Sequence, residues 1–369
     1  MKSPGRTPRL RAALAVGLLC STAGAALAEP YLAAEKGLAC TSCHANPTGG
    51  GLRNATGHAF AQNEIAARRL DIGDVVWSGE LNRFFAVGGD FRGSASYTDV
   101  SGGEDVDLAF DVDELRVYLE ARMIPGRLSL YVDQRLAPGD STNQEAFGIF
   151  WFDEARRYYV KAGRMYLPFG LRLEDDTAFI RQVPGISMQT PDTGLEFGLE
   201  SGPWNAQLAV SNGSAGGPEI NSGKRFSLRG EYLRSAWRLG ASANFNDAGD
   251  TERLATGLFG ALRTGPVTWL AEIDYVEDTN LPGGDLERWV GLLEANWRLR
   301  QGHNLKATAE RSEPDSDVDD DEQDRYSLLY EYSPVQYLQL RGGARATEVA
   351  SGALVPDSRL LFLELHAYF

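Results

Sequence analysis

From about residue 79 to its end, the chain is a succession of short segments in which apolar and polar residues alternate one by one. Between Glu114 and Met123, for example, Leu115, Val117 and Leu119 alternate with charged residues and a tyrosine. Because successive side chains of a β-strand point to opposite faces, each segment predicts a strand with one apolar and one polar face. Such strands suit a soluble sandwich with an apolar core, and equally a membrane barrel with its apolar face towards lipid.

The lengths of the links between these segments favour the barrel. About 16 strands are predicted, starting near Phe85, Leu108, Leu128, Ala146, Tyr158, Thr193, Trp204, Phe226, Trp237, Leu254, Val267, Arg288, Asn304, Tyr326, Val335 and Leu360. Short turns such as MIPG alternate with long loops such as NGSAGGPEINSG, as in outer-membrane barrels with short periplasmic turns. We therefore expect an all-β fold, an outer-membrane antiparallel barrel over residues 79–369, with both chain ends in the periplasm.

The first 28 residues have the organisation of a secretory signal peptide. Basic residues precede the apolar run AALAVGLL, and Ala26-Leu27-Ala28 forms a cleavage site before Glu29. Cys20 lies in this leader and would be removed with it. After Ala28 no stretch approaches the ~20 apolar residues of a membrane helix. Export and a strand-built membrane domain together predict the outer membrane of a Gram-negative bacterium.

Removal of the leader makes the chain more acidic. The formal charge of −15 becomes about −19 once the four basic residues of the leader are lost. Such a charge excludes nucleic acid as a partner and suits cations or basic proteins. The loop over residues 312–324 is dense in carboxylates, which would suit an extracellular metal donor or another hard cation. The alternative is a solvated loop that resists aggregation.

Only two cysteines remain in the mature chain, and both lie in the motif Cys40-Thr41-Ser42-Cys43-His44. C-x-x-C-H is the attachment motif of haem c, in which two thiols bond the haem and the histidine ligates the iron. The sequence predicts one covalent haem c on Cys40 and Cys43, with His44 as proximal iron ligand. Three alternatives stay open: a redox-active cysteine pair, a zinc site and coincidence.

A second axial ligand for the iron is predicted from the same N-terminal segment. His58 lies 14 residues after His44 and is the first candidate. Met165 and Met188 are alternatives, and a methionine would raise the haem potential relative to a histidine. His366 is expected to face the lumen on the last strand, near the periplasmic rim.

Residues 29–78, the predicted haem segment, are too few to bury a haem by themselves, since small domains bury little surface. We therefore expect this segment to plug the barrel from the periplasmic side. The glycine-rich stretch Pro47–Gly57 would approach the porphyrin closely, and Ala59–Leu70 would form a short helix leading to the first strand. The alternative is a segment that hangs below the barrel in the periplasm.

The third long loop, Pro168–Asp192 with its flanks, follows the segment GRMYLPFG. Its position resembles that of the loop that folds inward and narrows the pore of 16-stranded porins. The segment itself resembles stretches of phosphate-selective porins, but the loop has few of the basic residues that such selectivity needs.

The whole arrangement resembles the fused outer-membrane monohaem cytochrome–porins, which include the iron oxidases of Fe(II)-oxidising bacteria. In that family C-x-x-C-H is followed by a proline, here Pro47, and by G-R-x-F, which Arg53, Gly57 and Phe60 follow roughly. The PTGGG insertion departs from the family pattern.

The resemblance implies an electron conduit, set in outer-membrane lipid, between an extracellular donor and a periplasmic c-type cytochrome. If Fe(II) is the donor, the protein is an Fe(II)-oxidising cytochrome; otherwise it is an electron carrier. The alternative function is a solute-selective porin whose haem is structural or sensory.

Overall fold

The computed structural model describes residues 29–71, 77–101, 106–219, 221–350 and 356–369, so the predicted leader at 1–28 lies outside the described residues. Sixteen antiparallel strands form one closed barrel in which each pairs with its sequence neighbours and β1 pairs with β16. The strands are β1 Phe85–Val100, β2 Val106–Ile124, β3 Leu128–Ala137, β4 Thr142–Trp151, β5 Tyr158–Met165, β6 Asp192–Ser201, β7 Trp204–Ser211, β8 Arg225–Leu233, β9 Trp237–Asp247, β10 Glu252–Thr264, β11 Val267–Thr279, β12 Leu286–Arg300, β13 His303–Glu313, β14 Gln323–Val335, β15 Leu338–Val349 and β16 Ser358–Tyr368. The predicted barrel and strand number are confirmed.

One predicted strand start, Val335, falls in the preceding strand. Val335 ends β14, and β15 begins at Leu338, which pairs with Val335 across the turn. The left-handed backbone of Tyr337, with φ of 71°, closes this turn. The apolar residues on both sides of so short a turn gave the sequence pattern no clear break.

The barrel is apolar outside and polar inside. On β16, Leu361 and Leu363 are 56% and 67% exposed, whereas Lys161 and Glu196 are fully buried in the lumen. A soluble protein would bury the leucines and expose the charges, so this distribution is that of a barrel whose outer face meets lipid. No helix in the described ranges is long and apolar enough to cross a membrane.

Aromatic side chains mark the end of the barrel that carries the short turns. Trp204, Tyr232 and Trp237 lie next to one another there, with ring centroids 4.7 and 5.8 Å apart along the row. Trp204 and Trp237 are exposed. Amphipathic rings at this level are typical of a membrane–water interface.

The N-terminal segment, residues 29–71, lies in the lumen near the short turns; we call it the plug. Its first helix, α1 Pro30–Lys36, begins with a proline and ends at Gly37, whose φ is 66°. A Cβ atom on Gly37 would lie 2.7 Å from the Ser235 Cα atom, so only glycine lets the helix end against the β8–β9 turn. The carbonyl of Leu38 then accepts a hydrogen bond from Arg238 on β9, 2.7 Å away.

The second helix of the plug, α2 Ala55–Phe60, continues into a π-helical turn at Ala61–Ile65. It starts earlier than the predicted helix at Ala59, because the Asn54 side chain accepts a hydrogen bond from the Gly57 backbone at 2.9 Å and caps it. After this helix the backbone of Ala67 donates to Ser333 at the end of β14. The plug therefore leaves the lumen along the barrel wall.

The loop between β5 and β6, residues 166–191, folds into the lumen as the sequence predicted; we call it the inward loop. It contains the one-turn helix α3, Phe179–Gln182. The backbone of Gly170 donates to Ser242 on β9 at 2.8 Å, and that of Phe179 donates to Glu310 on β13 at 2.6 Å. The loop thus crosses from one side of the barrel to the other.

An apolar cluster forms inside the lumen where the plug, the inward loop and the wall meet. The plug contributes Tyr31, Leu32, Ala34, Cys43 and Phe60, the inward loop contributes Leu171, Leu173, Ala178, Phe179 and Ile180, and the wall contributes Phe259, Ala261, Leu270, Val290 and Leu292. The interior of an open channel is polar. This barrel instead holds a packed core of its own.

Candidate functional site

The C-x-x-C-H motif forms one tight turn. Cys40–Ser42 is a 3-10 turn, and the backbone amides of Cys43 and His44 both donate to the Cys40 carbonyl, at 3.1 and 3.0 Å. The Cys43 side chain is fully buried and that of Cys40 is half-buried. The turn therefore gathers two thiols and an imidazole within five residues of chain.

The imidazole of His44 is 4% exposed and lies beside the backbone of Gly50 and Gly51. Within the part of the chain that the structure describes, neither ring nitrogen makes a hydrogen bond of normal geometry. Burial, assisted by Arg53, lowers the pKa of His44 to about 3, against the smaller opposite effect of the Gly50 backbone. The ring is therefore neutral at neutral pH, which is the form that ligates metals. An unpartnered buried polar atom of this kind calls for a ligand.

A cavity of about 580 Å³ lies in the lumen beside this turn. The plug lines it with Cys40, His44 and the loop Gly49–Gly51, and the inward loop lines it with Leu171 and Met188 among others. All three glycines have positive φ, and a Cβ on Gly49 would lie 3.2 Å from the Cys40 sulfur. The glycines therefore let the backbone lie against the cysteine.

The residues present fit a covalent haem. Two thiols and a neutral imidazole stand on one turn, the cavity is of the size usual for cofactor sites, and its walls include apolar groups such as Tyr31 and Leu32. Cationic side chains on the same cavity, including Arg53 and Arg172, suit the propionates of a haem.

The structure also bears on the two chemical alternatives for the cysteines. Burial, together with Glu231, raises the pKa of the Cys40 thiol, whereas the reactive cysteine of a redox pair has a lowered pKa. Among the residues that the structure describes, no group of three or more His, Cys, Asp or Glu side chains is placed to hold a metal ion.

His58, the predicted distal ligand, is not among the residues that line the cavity beside His44. It is buried in α2, and its Nε2 atom faces Gly79, where an added Cβ would lie only 2.6 Å away. Burial, together with Arg53, lowers its pKa to about 4. The cavity beside His44 is lined by other residues. Ligation of iron by His58 stays a prediction, and it would require the ring to move.

The other candidates for the distal position differ in access. Met165 is fully buried in an apolar cluster of the wall, outside the cavity. His366 faces the lumen as predicted and also lines the cavity, but its two ring nitrogens contact Asp90 at 3.1 Å and Gln339 at 3.2 Å. Met188 also lines the cavity.

A charged cluster ties the plug and the inward loop to the wall. Arg341 on β15 forms ion pairs with Glu29 of the plug and, at 2.6 Å, with Glu174 of the inward loop. Lys306 on β13 lies 3.3 Å from Glu29 and 3.2 Å from Glu331. Burial alone would raise the pKa of Glu29, but Lys306 and Arg341 lower it to about 2. Sequence reasoning missed this cluster, because its members are far apart in the chain.

The acidic loop at 312–324 joins β13 to β14 at the long-loop end. Arg311 on β13 pairs with Glu322 at 3.1 Å and with Asp324 at 3.2 Å, and all three side chains are partly exposed. These contacts neutralise part of the negative charge of the loop. Cation binding there stays a prediction.

Comparisons with known proteins bear on the barrel. No protein-family model matches the chain, and no curated protein matches it. An anion-selective porin from Comamonas acidovorans has a TM-score of 0.61 at 11% identity over 77% of this chain and 99% of its own. A loop-deletion form of OmpT from Vibrio cholerae gives 0.61 at 13% over the same shares. OprB from Pseudomonas putida gives 0.55 at 10%, over 78% and 95%. At these identities the likeness shows the fold: a closed barrel of the outer-membrane porin type.

Proposed function

We propose that this protein is an electron-transfer conduit of the outer membrane, a porin-like barrel whose plug carries one covalent haem c. It would move electrons between an extracellular donor and a periplasmic c-type cytochrome. The observation that carries the proposal is the C-x-x-C-H turn, which borders a cavity inside a lumen that is otherwise packed with the protein's own chain.

The roles of the residues follow from their places. Cys40 and Cys43 would hold the haem as thioethers, and His44 would ligate its iron. When bound, the haem supplies a one-electron redox centre. The wall fixes the plug through the apolar cluster and Arg341, and the inward loop lines part of the cavity.

Orientation and location support the same proposal. The plug enters at the end with the short turns, which is the periplasmic end in barrels of this type. Both chain ends would then be periplasmic, where c-type haem is attached. The long loops, including the acidic loop, would face outward, and Fe(II) is the donor that the family resemblance suggests.

A second candidate is a solute-selective porin with a structural or sensory haem. The structural comparisons favour this second candidate, because the similar solved structures are porins and one of them is an anion-selective porin. The charged inner wall and the remaining cavity support it as well. The packed lumen speaks against it, because solutes need a continuous water path.

Haem attachment is tested first. The full chain is produced with and without a c-type maturation system, and haem is quantified as the pyridine haemochrome of the denatured, purified protein. We expect one haem per chain, and none in the Cys40→Ala/Cys43→Ala double variant. Wild-type protein that folds and matures without covalent haem would overturn the proposal and leave only the barrel.

The two functions are then separated in lipid. Holoprotein is placed in proteoliposomes and planar bilayers, and membrane-impermeant ferrous citrate is added on the long-loop side. The conduit predicts rapid appearance of the reduced haem spectrum together with little ion conductance. A large, steady conductance with a haem that does not respond to external reductant would favour the porin.

A further inference from the structure

We infer that Met188, on the inward loop, is the second axial ligand of the haem iron. The inference rests on the proposed function and on the contents of the cavity beside His44. Of the side chains that line it, those with sulfur or imidazole donors are Cys40, His44, Met188 and His366. Cys40 is taken by the covalent bond, and both ring nitrogens of His366 have other partners. Met188 is the remaining soft donor.

The fold of the inward loop directs Met188 to the haem turn. Its terminal methyl carbon would lie 3.8 Å from a Cβ atom on Gly50, so the side chain reaches the glycine loop that follows the motif. Two hydrogen bonds fix the backbone at this point. The Met188 amide donates to Asp176 at 3.0 Å, and the Ser187 amide donates to Thr190 at 2.9 Å. The side chain is thus presented by a braced turn.

The competing ligands would require rearrangement. His58 does not line the cavity, and its Nε2 atom faces Gly79. Met165 would have to leave an apolar cluster that also contains Tyr159 and Trp151, and would open a hole in the wall. Met188 already lines the cavity and reaches the glycine loop beside the motif.

Ligation by Met188 would give the protein two properties. A thioether ligand favours the ferrous state and raises the potential above that of a two-histidine haem, which suits an acceptor of electrons from Fe(II). In addition, the ligand would come from a loop that starts at the long-loop end of the barrel. The outward face of the protein would then be joined to the redox centre through a single loop.

The test is spectroscopic and uses the full-length holoprotein. A methionine-ligated ferric haem has a weak far-red sulfur-to-iron charge-transfer band, which we expect in the wild type. Met188→Leu, a substitution of similar volume, should abolish this band and lower the midpoint potential. Met123→Leu, on the lipid face of β2 where Met123 is 59% exposed, is the matched control and should change neither.

Two further variants keep the test decisive. Met188→His should remain six-coordinate and low-spin but lose the sulfur band, which answers the question if the leucine variant folds poorly. His58→Gln should keep the band. A wild type without the band, or a Met188→Leu variant that retains it, would overturn the inference while leaving the haem and the conduit in place. Absence of covalent haem in the haemochrome assay would instead overturn the proposed function, and this inference with it.

Discussion

Two sectors of the inner wall hold the plug in different ways. The apolar sector, on β10–β12, presents Phe259, Leu270 and Leu292 to the lumen. The charged sector, on β1 and β13–β16, is centred on Arg341 and Lys306. Helix α1 lies against β10 and β11, and Glu29 just before it reaches the charged sector.

The difference shows what each kind of contact supplies. Apolar side chains facing a water-filled channel would be unfavourable, so the apolar sector is explained by permanent contact with the plug and the inward loop. This contact is non-directional and independent of salt. Ion pairs add orientation, but their net contribution is reduced by the loss of hydration. We therefore expect the apolar sector to supply most of the docking energy and the charged sector to supply position.

The largest predicted effect comes from Phe259→Ala in the apolar sector. Phe259 is 2% exposed, lies under the guanidinium of Arg229 at 4.4 Å, and packs against Gly240 from the neighbouring strand. Removal of a buried phenylalanine costs about 3–5 kcal/mol. We expect the free energy of plug docking to fall by this amount while the barrel stays folded. The measurement is hydrogen exchange and proteolysis over residues 29–71, and both should become faster.

The matched control for this variant is Phe226→Ala. Phe226 lies on β8 but faces outward and is 47% exposed. Its removal should leave exchange in the plug unchanged, whatever it does to barrel stability. Equal loosening of the plug by both variants would show that docking depends on the barrel as a whole and not on the apolar sector.

The second effect, of about 3 kcal/mol, is expected for Arg341→Gln in the charged sector. Arg341 lies between Glu29 and Glu174 and is 3.2 Å from Glu364, so its loss leaves buried carboxylates without their shared cation. The same exchange experiment measures it. The difference in docking free energy between wild type and Arg341→Gln should shrink only slightly as salt rises, because largely buried ion pairs are screened much less than exposed ones. An Arg341→Gln variant whose plug exchanges as slowly as the wild type would remove the distinction between the sectors.

The two sectors also mark where prediction from sequence ends. Alternation and link lengths are local features, and they predicted the strands and the lipid-facing side. The C-x-x-C-H motif is local as well and is read directly from the chain. That Leu270 and Leu292 point inward follows from the same alternation, but what they contact does not. The pairing of Arg341 with Glu29 spans 312 residues. Because such contacts depend on barrel closure, no short sequence window contains them.

The candidate haem site shows the same division between local and long-range features. Cys40, Cys43 and His44 were predicted, since a single turn contains them. The preference for His58 rested on closeness in sequence, and the structure turns that ring towards Gly79. Met188 reaches the cavity from a loop more than a hundred residues away in the chain. Its position depends on the path of the inward loop across the lumen, and this path could not be predicted from the sequence.

A smaller effect, about 2 kcal/mol at neutral pH, is expected for Glu29→Gln. Lys306 and Arg341 lower the pKa of Glu29 to about 2, from 4.5 in the unfolded chain. A lowered pKa stabilises the docked plug above pH 4.5, and this stabilisation is lost as the pH falls through about 2. The difference between wild type and variant, measured by exchange in the plug, should therefore shrink on acidification between these values. A difference that is constant down to pH 2 would show that the carboxylate charge is not what holds Glu29.

The smallest effect, about 1 kcal/mol, is expected for Asn54→Ala inside the plug. Asn54 caps α2 and also donates to the Thr41 carbonyl at 3.0 Å, so it joins the helix to the C-x-x-C-H turn. Because the wall holds the plug through both sectors, we expect faster exchange confined to the amides of Ala55–Phe60 and no release of the plug. Asn54→Asp keeps the cap but loses the donor, and should restore most of the helix protection. If Asn54→Ala released the whole plug as Phe259→Ala is expected to do, the plug would be held by its own folding, and the two wall sectors would only surround it.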